Sequence, residues 1–390
     1  MTRAAGYSIV ELLVAAAVTL AAMAAAIPML NGMQGGFATE ADRADLSQRL
    51  RIAQEALARR LRQAGGGAQQ GSHAGPLGYF TAAVFPFRQG AQGADPAGTF
   101  RPDTLTVVAV ASATAAQTTI GQPLAGLSGS AFLNLDAGCP PGDAVCGFAS
   151  GMDVMVYDDT GSYDTFRIIA AGGGVLQLQH TMPDSTQIYQ PGATIVQVTT
   201  DTYYLQTDAA TDTYQLMHYD GVASDAAIAD HVVGLGFDYV GEPNPPALIK
   251  PVTDPVGPWT TYGPKPPPPG TRTTAYAAGE NCAFLLDANE QQMPRLAAFG
   301  AGTTLVRMDA SQLTDGPWCP DEANPHRYDA DLLRIRRIGV TVRVEAASAA
   351  LRGPAGVLFS RGGSSRTPSR WLPDQELRFE IAPLNLAIGR

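Results

Sequence analysis

The sequence predicts an α+β fold, in which one long N-terminal helix precedes a large and mainly antiparallel β head. Residues 12–30 form an apolar run about long enough to cross a bilayer as a helix. Apolar residues then recur at helical spacing up to Ala64, and the rest of the chain holds short alternating runs. We expect these boundaries: a leading segment at 1–6, a helix at 7–64 with a membrane span near 9–30, and a head at 65–390.

Glu11 places a carboxylate at the start of the apolar run. A charge inside a bilayer costs roughly 2.5–3.5 kcal/mol on insertion scales, so this side chain requires a partner. A plain membrane anchor gains nothing from an acid at this position. Glu11 therefore predicts that the helix packs against another molecule inside the membrane.

The second half of the predicted helix is amphipathic. One face carries apolar residues at spacings of three and four, namely Leu46, Leu50, Ala53, Leu57, Leu61 and Ala64. Acidic residues lie near the start of this half and arginines crowd its end, which suits the helix dipole. Gly65, Gly66 and Gly67 are expected to end the helix, because glycine is a preferred terminator. The two halves together predict a rod of about 85 Å.

Two features are expected to weaken this rod near its middle. Pro28 removes a backbone donor and should kink the helix or open it locally. Gly32 lies in a stretch with Asn31, Gly35 and Gly36 that disfavours helix. The alternative is that Pro28 only marks the exit from the membrane. We predict a helix break at Pro28 and Gly32.

The head has the composition and alternation of β structure in nine segments. These are 104–111, 152–158, 175–179, 194–199, 202–206, 213–219, 231–240, 333–344 and 376–381. A proline-dense stretch at 243–270 is predicted to be an extended surface loop or linker.

Charge is unevenly distributed along the head. Residues 65–331 carry 27 acidic against 9 basic side chains, whereas residues 332–390 carry 4 against 10. The acidic block argues against nonspecific nucleic-acid binding, so no nucleic acid is expected as a partner. The basic end has a strand-like run with Arg334, Arg336, Arg337 and Arg343. These arginines are predicted to lie on a solvated face or to pair with the acidic block, with DNA or lipid headgroups as the alternative.

No catalytic motif is found in the sequence. Residues 126–130, G-L-S-G-S, lack the last glycine of the G-x-S-x-G nucleophile elbow. No phosphate-binding loop or zinc-protease motif occurs. The five histidines are scattered singly. We therefore expect no enzyme activity and no cofactor. Two groups of aspartates offer a calcium alternative, Asp201, Asp208 and Asp212 or Asp158 and Asp159, although such residues are ordinary in turns.

The N-terminal residues Gly6, Tyr7 and Glu11 resemble the leader of type IV prepilins. The resemblance implies that a prepilin peptidase cuts between Gly6 and Tyr7 and that the new amine of Tyr7 is N-methylated. Tyr7 departs from the family, which usually has Phe there. The resemblance also implies that Glu11 meets the N-terminal amine of a neighbouring subunit, and a buried pair of this kind is tolerable only when matched. Pilins often carry a proline at the same distance past the cut as Pro28. The resemblance implies that the helix loosens there when subunits pack into a fibre.

An ordinary signal peptide is the alternative interpretation of this start. Its cleavage site would be Ala24, Ala25 and Ala26, which fit the small-residue pattern before a cut. That interpretation leaves Glu11 unexplained. It also does not account for the helical pattern that continues in phase beyond the apolar run.

Two short stretches resemble one subgroup of the family. Residues 61–65, L-R-Q-A-G, are similar to the end of the first helix in PilW-type minor pilins, and residues 230–239 are similar to a strand of the PilW and GspJ groups. The resemblance implies a minor pilin with a large head in the priming or tip complex of a type IV pilus. Its partners would be other major and minor pilins, the prepilin peptidase and the bacterial inner membrane.

Two alternatives to this function remain open from the sequence. One is a minor pseudopilin of a type II secretion system. The other is a membrane-tethered or exported enzyme or binding protein whose start only mimics the leader.

The four cysteines are expected to form disulfides, because a head outside the inner membrane lies in oxidising surroundings. Connectivity does not follow from sequence. We predict local pairing, Cys139 with Cys146 and Cys282 with Cys319. Zinc is the alternative, but no C-x-x-C pair or nearby histidine supports a metal site.

Overall fold

A computed structural model describes residues 8–66, 82–90, 92–96, 98–110, 116–125, 128–137, 139–157, 163–180, 188–245, 284–286, 289, 292–319 and 328–386. The chain divides into two compact units. Unit 1 comprises Met1–Arg51 and Val344–Gln375, and unit 2 comprises Ile52–Arg343 and Glu376–Arg390. Most of the proline-dense stretch predicted at 243–270 lies outside the described residues.

One helix, α1, runs over Ile9–Gln63 and confirms the long N-terminal helix of the predicted fold class. Its ends agree with the predicted bounds to within two residues. α1 continues through Pro28 and Gly32, so the helix does not end at either residue, and a kink there stays a prediction. A proline removes one backbone donor, and the hydrogen bonds on either side maintain the helix. Loosening on assembly stays a prediction.

The rest of the described chain is mainly β structure, which confirms the α+β class. In chain order the strands are β1 Val84–Phe85, β2 Thr104–Ala109, β3 Gln117–Ile120, β4 Leu124–Ala125, β5 Ser128–Asn134, β6 Asp153–Tyr157, β7 Tyr163–Gly172, β8 Val175–His180, β9 Ile188–Tyr189, β10 Thr194–Gln197, β11 Thr199–Asp208, β12 Thr213–Tyr219, β13 Asp225–Asp230, β14 Val232–Gly241, β15 Phe284–Leu286, β16 Gln292–Pro294, β17 Val306–Met308, β18 Trp318–Cys319, β19 Tyr328–Asp329, β20 Ile335–Val344 and β21 Gln375–Ile381. Each of the nine predicted segments overlaps at least one of these strands.

A five-stranded antiparallel sheet has the order β1-β2-β11-β12-β13. Buried hydroxyl groups form hydrogen bonds at its centre. Thr106 Oγ1 lies 2.8 Å from Thr202 Oγ1 and donates to the Phe87 carbonyl at 2.7 Å. These bonds satisfy polar groups that would be costly to bury alone.

Six strands close into a barrel in the order β10-β3-β5-β8-β7-β6, because β10 pairs with both β3 and β6. Its interior is apolar and includes Val154, Phe166, Ile168, Leu176 and Ile195. The predicted disulfide between Cys139 and Cys146 is confirmed in the loop between β5 and β6. Cys282 lies outside the described residues, so its pairing with Cys319 stays a prediction.

A four-stranded sheet has the order β17-β14-β20-β21. The predicted strand at 333–344 begins two residues late, because Ala330–Arg334 form a 3-10 helix capped by the Asp329 side chain. Two arginines of the basic run pair with the acidic block as predicted. Arg334 contacts Asp331 at 2.6 Å, and Arg336 contacts Glu242 at 2.7 Å.

Candidate functional site

The first half of α1 presents apolar side chains on all sides. Residues Ile9–Ala26 have a mean hydropathy of 2.3, and none of them is buried in the chain. The large apolar side chains all expose more than half of their surface: Ile9, Val10, Leu12, Leu13, Val14, Val18, Leu20 and Met23. By length and composition this segment can cross a membrane. We call it the exposed helix half.

Glu11 is bonded within its own helix end. The Ser8 backbone N–H donates to Glu11 Oε2 at 3.0 Å, and the Val10 N–H donates to Ser8 Oγ at 3.2 Å. This is a capping box, in which two side chains satisfy amides that lack helical partners. The sequence pattern S-x-x-E at Ser8 to Glu11 signals it, and the analysis of charge alone missed it. Gly6 and Tyr7 lie outside the described residues.

The second half of α1 behaves in the opposite way. Of the six apolar residues predicted on one face, five are fully buried: Leu46, Ala53, Leu57, Leu61 and Ala64. Leu50 is half-buried. Within unit 2, Arg60 Nε lies 3.6 Å from Asp201 Oδ1 of β11. Within unit 2, the end of α1 is therefore held both by apolar burial and by an ion pair.

Gly65 ends the helix and joins it to the head. Its backbone is left-handed, with φ of +71°, and a Cβ there would lie 2.9 Å from Leu386 Cδ2. The Gly65 N–H donates to the Val108 carbonyl at 3.1 Å, and the Val110 N–H donates to the Gly66 carbonyl at 2.8 Å. The chain directly after α1 thus pairs with the end of β2 and with the residue that follows it. This confirms glycine as the terminator.

The aspartates considered for calcium do not form one site. Asp201 and Asp208 lie seven residues apart on β11, about 23 Å at strand rise. Asp201 lies 2.6 Å from His218 Nε2, and Asp208 accepts from Thr211 Oγ1 at 2.7 Å. Asp158 and Asp159 lie outside the described residues.

Sequence reasoning missed one acidic cluster. The carboxylates of Asp315, Asp329 and Asp331 lie within 4.8 Å of one another, and the latter two are buried. Burial, with the neighbouring carboxylate, raises the pKa of Asp329 to about 8, and burial raises the pKa of Asp331 to about 7. Arg334 neutralises part of this charge at 2.6 Å from Asp331. The spacing of Asp329 and Asp331 alone does not signal the cluster, because Asp315 joins it from a separate part of the chain.

Comparisons with known proteins add no assignment to this geometry. No protein-family model, no curated protein and no solved structure matches the chain.

Proposed function

We propose that this chain is a minor type IV pilin of the PilW kind with a structural and assembly role. It is cut after Gly6, held in the bacterial inner membrane by the exposed helix half with its head in the periplasm, and joined through Glu11 to the priming or tip complex of a pilus. Other major and minor pilins are its partners in this proposal.

The contrast within α1 is the observation that carries the proposal. A single helix has 18 residues of high hydropathy at one end, none of them buried, and a buried face at the other. A removable signal segment needs no rigid continuation into the folded head. A subunit that packs by its helix needs both parts, because the apolar end must be covered by lipid before assembly and by neighbouring helices afterwards.

Glu11 supports the same function in a second way. One of its oxygens accepts the Ser8 N–H, and a carboxylate retains capacity for further donors. The proposed cut at Tyr7 would leave a new amine one residue before Ser8. An amine from a neighbouring subunit can then meet a carboxylate that is already oriented by its own helix end.

The test separates the charge of Glu11 from its capping role. Glu11→Gln keeps an oxygen for the Ser8 N–H, since Gln also serves in a capping box, but removes the charge. We expect Glu11→Gln to be cleaved and membrane-bound yet depleted at least about tenfold from complexes with partner pilins. Co-purification of detergent-extracted complexes measures this.

Two control variants complete the test. Ser8→Ala removes the cap and keeps the carboxylate, so its incorporation should stay near normal. Glu40→Ala removes another exposed acid of α1, which pairs with Arg43 at 2.7 Å, and should also assemble. Normal incorporation of Glu11→Gln would remove the role proposed for this charge.

A further inference from the structure

The segment Val344–Gln375 of unit 1, which we call the lobe, is built around a buried acid. The Glu345 side chain is fully buried, and Arg352 Nη1 donates to it at 2.6 Å while Arg361 Nε donates at 2.9 Å. Gly363 packs so closely that a Cβ would lie 2.2 Å from the Arg352 carbonyl. These contacts fix the lobe, because removing either partner would strand a buried charge.

This rigid base holds up an apolar tip, which we define as residues 354–358. All five residues are exposed, Val357 to 93% and Leu358 to 51%. The backbone turns back on itself, since the Gly356 N–H donates to the Phe359 carbonyl at 2.8 Å and the reverse bond is 3.2 Å. Phe359 is buried edge-on against Trp371 with ring centroids 5.6 Å apart. The turn hydrogen bonds and the buried Phe359 ring therefore hold the tip in an exposed position.

The lobe is net basic. It contains four arginines against two acids, Glu345 and Asp374, and the Asp374 carboxylate accepts the Ser360 N–H beside the tip at 2.6 Å. Arg352 and Arg361 share Glu345, whereas Arg366 and Arg370 are exposed. Apolar side chains beside exposed arginines are the combination that binds an anionic lipid surface.

The same unit carries the part of α1 that leads out of the membrane. Residues 12–39 form an uncharged run of 28 residues that ends at Glu40. The span near 9–30 leaves nine residues of this run, about 14 Å of helix, before Glu40. Leu46, which is fully buried in unit 1, then lies about 9 Å along the helix beyond Glu40. Unit 1 therefore holds both the segment that can cross a membrane and the lobe.

We infer that the lobe docks on the outer surface of the membrane that anchors the chain, with its apolar tip among anionic headgroups and with Arg366 and Arg370 against phosphates. The inference rests on membrane anchoring and is independent of assembly through Glu11. Docking of the lobe orients the head before assembly. Extraction of the subunit from the membrane then separates the lobe from the lipid surface.

The test places a tryptophan in the tip of the full chain. Leu358→Trp and the matched control Ile169→Trp, at a 55% exposed site on β7 of unit 2, are reconstituted into phosphatidylcholine vesicles with or without phosphatidylglycerol. Doxyl-labelled lipids quench only a ring that reaches the acyl boundary. The unsubstituted chain supplies the background from its native tryptophans. We expect quenching of Leu358→Trp that is stronger with phosphatidylglycerol, and no added quenching of Ile169→Trp.

Removal of the arginines is the second arm. Arg366→Ala with Arg370→Ala in the Leu358→Trp chain should lower the ratio of docked to free lobe roughly 30-fold, since each cation contributes near the surface. Quenching of Leu358→Trp at the level of Ile169→Trp in both vesicles overturns the inference. A tryptophan signal that responds to protein density and not to lipid charge assigns the tip to a second copy of the chain, and also overturns it.

Discussion

The two halves of α1 share one helix and have opposite surroundings. Leu13 and Val18 in the first half are more than 60% exposed, whereas Leu57 and Leu61 in the second half are fully buried. Helix propensity does not distinguish them, since both halves are rich in strong helix formers, alanine and leucine in the first and arginine, alanine and leucine in the second. The difference lies in the pattern: the first half is apolar all round and the second half has one apolar face. The second half has a buried face, whereas the first half is exposed and requires lipid or other helices to cover it.

The largest expected effect comes from truncating a leucine in each half. Leu57→Ala should lower the free energy of unfolding of the head by about 3 kcal/mol, because it leaves a cavity under α1. Leu13→Ala removes the same atoms from an exposed site and should change the free energy of unfolding by less than about 0.5 kcal/mol. Denaturant titration in detergent, followed by near-ultraviolet circular dichroism, measures both. Equal losses would contradict the division of α1.

A charge near the middle of the exposed helix half tests its membrane role. Val18→Arg should disfavour insertion by about 3 kcal/mol and release the chain on alkaline extraction of membranes. Gln48→Arg places the same residue on the exposed side of the second half, so it should extract like the unsubstituted chain. Retention of Val18→Arg in the membrane pellet would count against a span at Ile9–Ala26.

The disulfide should affect only the head. Replacing Cys139 and Cys146 by serine opens a loop with a sequence separation of 7, for which chain entropy gives a loss of about 2.5 kcal/mol in unfolding free energy. Alkaline extraction should be unchanged, because the loop lies in unit 2. An unchanged unfolding midpoint in the serine variant would show that the bond does not stabilise the barrel.

The smallest expected effect concerns the acidic cluster of the head. Raised pKa values mean that the folded state holds protons that the unfolded chain releases, so stability is full below about pH 4 and falls as the pH rises to about 8. Asp315→Asn removes a like charge and should recover about 1 kcal/mol at pH 9. Thermal unfolding from pH 5 to 9 measures this, with Asp309→Asn as an exposed control. A flat profile would contradict these pKa shifts.

Local patterns in the sequence predicted much of this fold. Helical spacing located the buried face from Leu46 to Ala64, and glycine located its end at Gly65. The capping box at Ser8 and Glu11 has the pattern S-x-x-E, which is a local signal in the sequence. At Pro28 the helix continues, because a single missing donor is a local penalty that the remaining helix outweighs, and the predicted kink stays a prediction.

Features that depend on distant pairing were not predictable. β5, with the sequence S-G-S-A-F-L-N, and β13, with D-A-A-I-A-D, have weak strand composition, and they form because neighbours hold them. The barrel closes through β10, whose two partners lie far apart in the chain. The ion pairs of Glu345 with Arg352 and Arg361 likewise depend on the folded chain, and no spacing rule predicts them.

The central claim is that α1 is a processed assembly helix, and the mass of the mature N-terminus tests it most directly. The chain is purified from membranes of a bacterium that expresses a prepilin peptidase, with Gly6→Ala as an uncut control. The account predicts a protein that begins at Tyr7, with or without one methyl group. A protein that begins at Ile27, or that keeps Met1 to Gly6 in the presence of the peptidase, would contradict it.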